Sequence, residues 1–137
     1  MESPWSLIQS PWRGLLVAAG LILGGTAILH ASGYPLLTEA LREVGLARVW
    51  VGAVQGLWVM FAVHLLLIAA YLFAGALRPV LVQDRALFVC ALLLAADTGL
   101  LGGFMGLFAG TLLVGIAAVT VIVARLIRQR ASDAAGG

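Results

Sequence analysis

The sequence has little charge and contains no lysine. Only 10% of its 137 residues are charged, whereas soluble domains have roughly 25%. Hydrophobic residues make up 63%, and the mean hydropathy is +1.11. This composition excludes an ordinary soluble domain and indicates an integral membrane protein. The eight basic residues are all arginines, and because they form no cluster interleaved with aromatic residues, nucleic-acid binding gains no support.

Cysteine is present once, as Cys90, so an intramolecular disulfide is excluded. Cys90 lies in an apolar run, and we interpret it as a packing residue. It is roughly 10 Å from Asp97 along one helix, too far for a shared metal ion with His64. The only histidines, His30 and His64, are expected at depths roughly 9 Å apart, which argues against haem ligation by both. The sequence therefore predicts neither a metal nor a cofactor.

Four apolar runs are long enough to cross a bilayer, which takes about 20 helical residues. None alternates apolar with polar residues as a membrane barrel strand would. We therefore predict an all-α, integral membrane four-helix bundle that forms a single domain over residues 1–137. The predicted spans are 14–30, 49–75, 86–101 and 104–127, and residues 128–137 are predicted to form a disordered tail.

A short amphipathic helix at the membrane interface is predicted between the first two spans, over residues 36–45. Leu37, Leu41 and Val44 recur at helical spacing, opposite charged residues. Gly45 is expected to end this helix.

Arginines near the span ends predict the orientation of the protein. If both termini are cytoplasmic, six arginines lie inside and two, Arg42 and Arg48, lie outside. The six are Arg13, Arg78, Arg85, Arg125, Arg128 and Arg130. We therefore expect a multi-pass protein of the cell (inner) membrane with both termini in the cytoplasm.

Glycines spaced four residues apart occur in three spans, and this spacing lets a neighbouring helix approach closely. The pairs are Gly20 with Gly24, Gly52 with Gly56, and Gly106 with Gly110. Gly102 lies four residues before Gly106 and extends the last pair into a row of three. We interpret them chiefly as packing contacts within the bundle. The row of three is the best candidate for a contact between copies of the chain. Gly102 and Gly103 are also predicted to form the turn between the last two spans.

Asp97 lies inside the third span, where a charged carboxylate costs about 3 kcal/mol at the bilayer centre. It is expected to find a partner, take up a proton or face water. At about 1.5 Å of rise per residue, Asp97 lies roughly 18 Å above Arg85, and His64 lies roughly 16 Å above Gly75. The two side chains are therefore nearly level, and we predict a hydrogen bond between them.

Threonines are expected at the same depth. The helical rise brings Thr26 and Thr111 to the level of Asp97 and its neighbour Thr98, so we predict that the three threonines complete a polar layer. His30 and Gln55 are expected nearer the outer boundary, as flanking polar groups.

Three functional interpretations remain. The first is a non-catalytic accessory, scaffold or lipid-binding subunit, with membrane lipid and a second copy or a larger membrane protein as partners. The second is a proton-coupled small-solute carrier or channel that uses Asp97 and His64. The third is a membrane-embedded enzyme for an apolar substrate, although the serines show no triad spacing and no phosphate loop or dinucleotide motif is present.

Overall fold

The structure is a computed structural model and describes residues 10–136. Within that range the chain is helical and has no strand. The helices are α1 (Pro11–Ser32), α2 (Tyr34–Glu43), α3 (Arg48–Leu77), α4 (Asp84–Met105) and α5 (Ala109–Gly136), with a 3-10 turn at Pro79–Leu81. Four segments are long and apolar enough to cross a membrane: Pro11–Glu43, which contains α1 and α2, and Arg48–Leu77, Asp84–Met105 and Ala109–Ala134. The predicted all-α four-helix membrane bundle, with a short additional helix between its first two spans, is confirmed.

Proline and glycine residues set several helix boundaries. Pro11 opens α1, and Pro35 lies in the first turn of α2, where a missing N–H leaves no bond unmade. Gly45 has a φ of 67° in the turn after α2, a conformation that glycine adopts without a Cβ clash. The helix α3 ends at Leu77, one residue before Arg78, whose helical conformation Pro79 disfavours.

The core is built from pairs of buried residues seven positions apart, one pair from each spanning helix. All eight side chains are fully buried, and a seven-residue repeat keeps one face of a helix against its neighbours. By the helical rise they form two layers roughly 10 Å apart. The pairs are Leu16 and Leu23, Leu65 and Leu72, Leu87 and Leu94, and Val114 and Val121.

Helix α1 is the central element of the packing. It packs closely against both α3 and α5, and α5 packs against α4. Helices α3 and α4 follow each other in the chain, yet they share few close backbone contacts. Close packing therefore connects the spanning helices in the order α3, α1, α5 and α4.

Large apolar side chains cover the outside of the bundle. Leu67 on α3 and Val119 on α5, for example, are 67% and 61% exposed. Apolar surface of this extent suits lipid rather than water as the surrounding medium.

The last two spans differ from their predicted bounds. Helix α4 continues through Gly102 and Gly103 to Met105, and the turn occurs at Gly106, whose φ is 81°. The predicted turn was wrong because two glycines cost a helix only about 1 kcal/mol each relative to alanine, which does not by itself end the helix. Helix α5 runs to Gly136, where a disordered tail was predicted from residue 128. Residue 137 lies outside the described range.

Candidate functional site

His64 on α3 and Asp97 on α4 form a hydrogen-bonded pair. His64 Nε2 lies 3.0 Å from Asp97 Oδ2. The side chains are 33% and 20% exposed, so the pair is partly shielded by the helices on either side. Because α3 and α4 share few close backbone contacts, this bond is a main link between them. It can stabilise the bundle on that side, and its two groups can exchange a proton.

The three threonines do not complete this pair. Each hydroxyl donates to a backbone carbonyl near it in sequence: Thr26 to Ile22 and Thr98 to Leu94, at 2.7 and 2.8 Å. Thr111 donates to the carbonyl of Gly106 at 3.0 Å. Inside a helix a threonine hydroxyl can bond to the carbonyl one turn earlier, as Thr26 and Thr98 do, without any tertiary contact. Thr111, in the first turn of α5, bonds instead to the carbonyl of Gly106 in the preceding turn.

His30 pairs with Trp58 instead of facing the outer boundary alone. Trp58 Nε1 donates to the carbonyl of His30 at 2.9 Å, and His30 Nε2 lies 3.1 Å from the carbonyl of Trp58. The rings stack with centroids 3.9 Å apart, and Phe61 meets His30 edge-on at 5.0 Å. Since a carbonyl only accepts, Nε2 carries the proton in this bond. The reciprocal bonds fix α1 against α3.

Gln55 holds the short helix α2 against α3. Its Nε2 donates to Thr38 Oγ1 at 3.2 Å, and Thr38 in turn donates to the carbonyl of Tyr34. Leu41 on the same helix is buried. The geometry gives Gln55 a structural role at this end of the bundle.

A cavity of about 200 Å³ lies between the four spanning helices, toward the end where α2 and the Gly106 turn are found. Its wall is largely apolar and includes Leu29, Phe61, Leu101, Met105 and Leu113. The polar side chains among its lining residues are Thr26 and His30.

The heptad pattern explains where this cavity occurs. Seven residues beyond the upper core layer, the pattern reaches His30 on α1, Trp58 on α3 and Leu101 on α4. The corresponding residue of α5 would be Leu107, but α5 begins only at Ala109. The third layer therefore lacks a side chain from one helix, and the small residues Ala109 and Gly110 line the space that remains.

The predicted glycine contacts are only partly found within the bundle. A methyl group added to Gly20 would lie 3.1 Å from Phe73, so α1 and α3 approach closely there. At Gly24, Gly52 and Gly56 an added methyl would meet no atom within 4 Å. The row from Gly102 to Gly110 is not one helical face, which corrects that prediction. Gly106 ends α4, and Gly110 belongs to α5.

The arginine end of the bundle, where α1 begins and α3 ends, contains contacts that the sequence analysis missed. Arg13 is only 8% exposed, and its Nε donates to the carbonyl of Ala76 at 2.7 Å, near the end of α3. Helix α3 has no basic residue in its own last turn, so Arg13 supplies the positive charge from another helix. The uncapped end of α3 is the one sequence signal for this contact.

Arg128 makes a second set of contacts at the arginine end. It pairs with Asp84 at the start of α4, and its Nη2 donates to the carbonyl of Val82 at 2.9 Å. Its guanidinium also lies 5.6 Å from the ring of Trp12. These bonds join α1, α4 and α5. The residues that the sequence pointed to as an orientation signal therefore also hold helix ends together.

Metal-ligating side chains do not cluster in groups of three or more anywhere within residues 10–136. The chain matches no protein-family model, no curated protein and no solved structure.

Proposed function

We propose that this protein is a non-catalytic membrane protein that binds a lipid or another apolar molecule inside its helix bundle, as an accessory or scaffold subunit. The observation that supports this most is the cavity of about 200 Å³ to which all four spanning helices contribute. An engineered apolar cavity of about 150 Å³ is large enough to bind benzene and stays free of water. This cavity is of the size that takes a small apolar molecule or part of an acyl chain.

The surrounding medium supports the same function. An unfilled cavity deprives its wall of dispersion contacts, and water gains few hydrogen bonds from an apolar wall. In a bilayer, lipids and apolar solutes are the molecules available to fill the cavity. Membrane lipid is therefore the first partner that we propose, with a second copy of the chain or a larger membrane protein as a further partner.

The orientation that we propose follows from the arginines. Six of the eight belong to the end where α1 begins and α5 ends, and Arg42 and Arg48 flank the opposite end. Basic residues favour the cytoplasmic side of the membrane. We place the arginine end in the cytoplasm of the cell (inner) membrane, so that the cavity lies nearer the outer surface.

Native mass spectrometry of the protein in a mild detergent tests the proposed function. We expect a bound apolar molecule on the wild-type chain and its loss in Ala109→Leu, which puts a larger side chain in the cavity wall. The control is Ala95→Leu, at an exposed position of α4 outside the cavity. A wild-type chain without any bound molecule, or equal occupancy in both variants, would contradict the proposal.

A proton-coupled carrier is the second candidate function, and the position of the His64–Asp97 pair favours it. His64 follows the cavity residue Phe61 by three positions, and Asp97 precedes the cavity residue Leu101 by four, so each lies about one helical turn from the cavity wall. A carrier predicts proton flux into vesicles that Asp97→Asn abolishes while the protein still inserts and folds. Wild-type vesicles without flux would leave the binding protein as the supported function.

A further inference from the structure

The polar side chains of the cavity wall, Thr26 and His30, have their donors already engaged. The Thr26 hydroxyl donates to the carbonyl of Ile22 at 2.7 Å. His30 Nε2 donates to the carbonyl of Trp58 at 3.1 Å. Neither bond depends on a cavity occupant, since both acceptors belong to the backbone.

Two side-chain acceptors remain on residues that line the cavity. The Thr26 oxygen keeps lone pairs after donating its hydrogen. In a neutral imidazole whose Nε2 carries the proton, Nδ1 is an acceptor, and among residues 10–136 His30 Nδ1 has no hydrogen-bond partner. The side chains of the cavity wall can therefore accept a hydrogen bond from a ligand, but they have no free donor and no charge.

The competing ligand in a bilayer is the surrounding acyl chain. An apolar molecule gains little on moving from lipid into an apolar cavity, because both media are equally apolar. Selection must therefore come from hydrogen bonds. A ligand that donates one satisfies Thr26 or His30, whereas an anionic ligand would lose its hydration in an apolar site whose lining includes no arginine to pair with it.

We propose that the cavity selects an uncharged apolar molecule that carries a hydroxyl group, such as a long-chain alcohol. The hydroxyl donates to His30 Nδ1 or Thr26 Oγ1, and the apolar part lies against Leu29, Phe61 and Leu113. This inference rests on the proposed binding function and names the ligand class of the same site.

Competition among matched ligands tests the proposal. The protein in nanodiscs is labelled with a photoreactive apolar probe, and the label is displaced with 1-decanol, decyl methyl ether or decanoate. The ether keeps the oxygen but cannot donate. We expect the alcohol to compete roughly three- to tenfold better than the ether, the effect of one hydrogen bond within a membrane. Decanoate should compete least.

The results separate this inference from the proposed function. If the ether competes as well as the alcohol, the ligand class is wrong while apolar binding stands. If none of the three displaces the probe, both are wrong. This comparison uses the wild-type chain alone and does not depend on a variant that folds.

Thr26→Val adds a test at the level of one residue. It removes the hydroxyl at nearly constant volume, and we expect the preference for alcohol over ether to fall, reaching about one only when the His30 acceptor is removed as well. Thr120→Val is the matched control, because Thr120 also donates to the carbonyl four residues earlier at 2.7 Å but does not line the cavity. His30→Phe keeps a ring against Trp58 and removes the second acceptor. An alcohol preference that persists when Thr26→Val and His30→Phe are combined in one chain would overturn the proposal.

Discussion

His64 Nε2 lies 3.0 Å from Asp97 Oδ2, and this bond joins α3 to α4, two helices that otherwise share few close backbone contacts. Both helices are held mainly from elsewhere, α3 by α1 and α4 by α5. The pair therefore links the two helices on the side of the bundle where close backbone contacts are few. We therefore expect loss of the His64–Asp97 bond to destabilise the bundle on that side.

A double-mutant cycle measures this link. We expect His64→Ala and Asp97→Ala each to lower the free energy of unfolding in detergent, with a coupling energy between about 0.6 kcal/mol, the average for hydrogen bonds between membrane helices, and about 1.7 kcal/mol, the largest value. The control cycle pairs His64→Ala with Asp133→Ala, an exposed position far along α5. Fully additive effects for His64 and Asp97 would show that the bond contributes nothing.

Arg13 should be the most important arginine for stability at the arginine end. Replacing it by methionine leaves the carbonyl of Ala76 without its charged donor, and hydrogen bonds to charged groups contribute about 1.5 to 3 kcal/mol. We expect Arg13→Met to lower the unfolding free energy by about that amount. Arg85→Met, at an exposed position, should have little effect. Equal melting of the two variants would refute the capping role of Arg13.

Replacing Gly106 should lower the stability of the protein. Its φ of 81° and ψ of −173° belong to a region open essentially to glycine, and other residues there cost about 1 to 3 kcal/mol. We expect Gly106→Ala to destabilise the protein by that amount in a thermal melt. Gly103→Ala, inside α4 with free space around the added methyl, should be neutral or stabilising. The reverse order would mean that α4 does not end at Gly106.

The glycines of the spaced pairs should differ in how well they tolerate a larger side chain. Gly20→Leu forces a side chain against Phe73, and overpacking of this kind costs about 1 to 3 kcal/mol. Gly56→Leu meets open space on the exposed surface of α3. We expect only the first to lower the melting temperature in detergent. If both lower it equally, Gly56 contacts a second chain.

The all-α class and the four spans follow from composition and run length, because a bilayer leaves few alternatives to a helix. Depth arithmetic puts His64 and Asp97 at one level, and helical rise is nearly constant in any helix. It could not show that α1 rather than α4 packs against α3. That choice depends on which buried faces fit together, and several apolar faces of these helices look alike in sequence.

The cavity and the Arg13 contact were beyond sequence reasoning for a different reason. The cavity arises because α5 begins two residues after Leu107, the next heptad position, and a boundary error of a few residues conceals such a gap. Arg13 caps the end of α3 through the carbonyl of Ala76, which lies 63 residues later in the chain. A side chain at a helix end can reach any neighbouring terminus, and only the packing decides which one.

Photolabelling in vesicles tests the central claim most directly. A decanol probe with a photoreactive group on its chain is activated in vesicles that contain the protein, and the labelled residues are identified by mass spectrometry. We expect the label to be concentrated on the cavity residues Leu29, Phe61 and Leu113 and to be removed by excess 1-decanol. Label spread evenly over lipid-facing residues such as Leu67 and Val119, unaffected by 1-decanol, would contradict it.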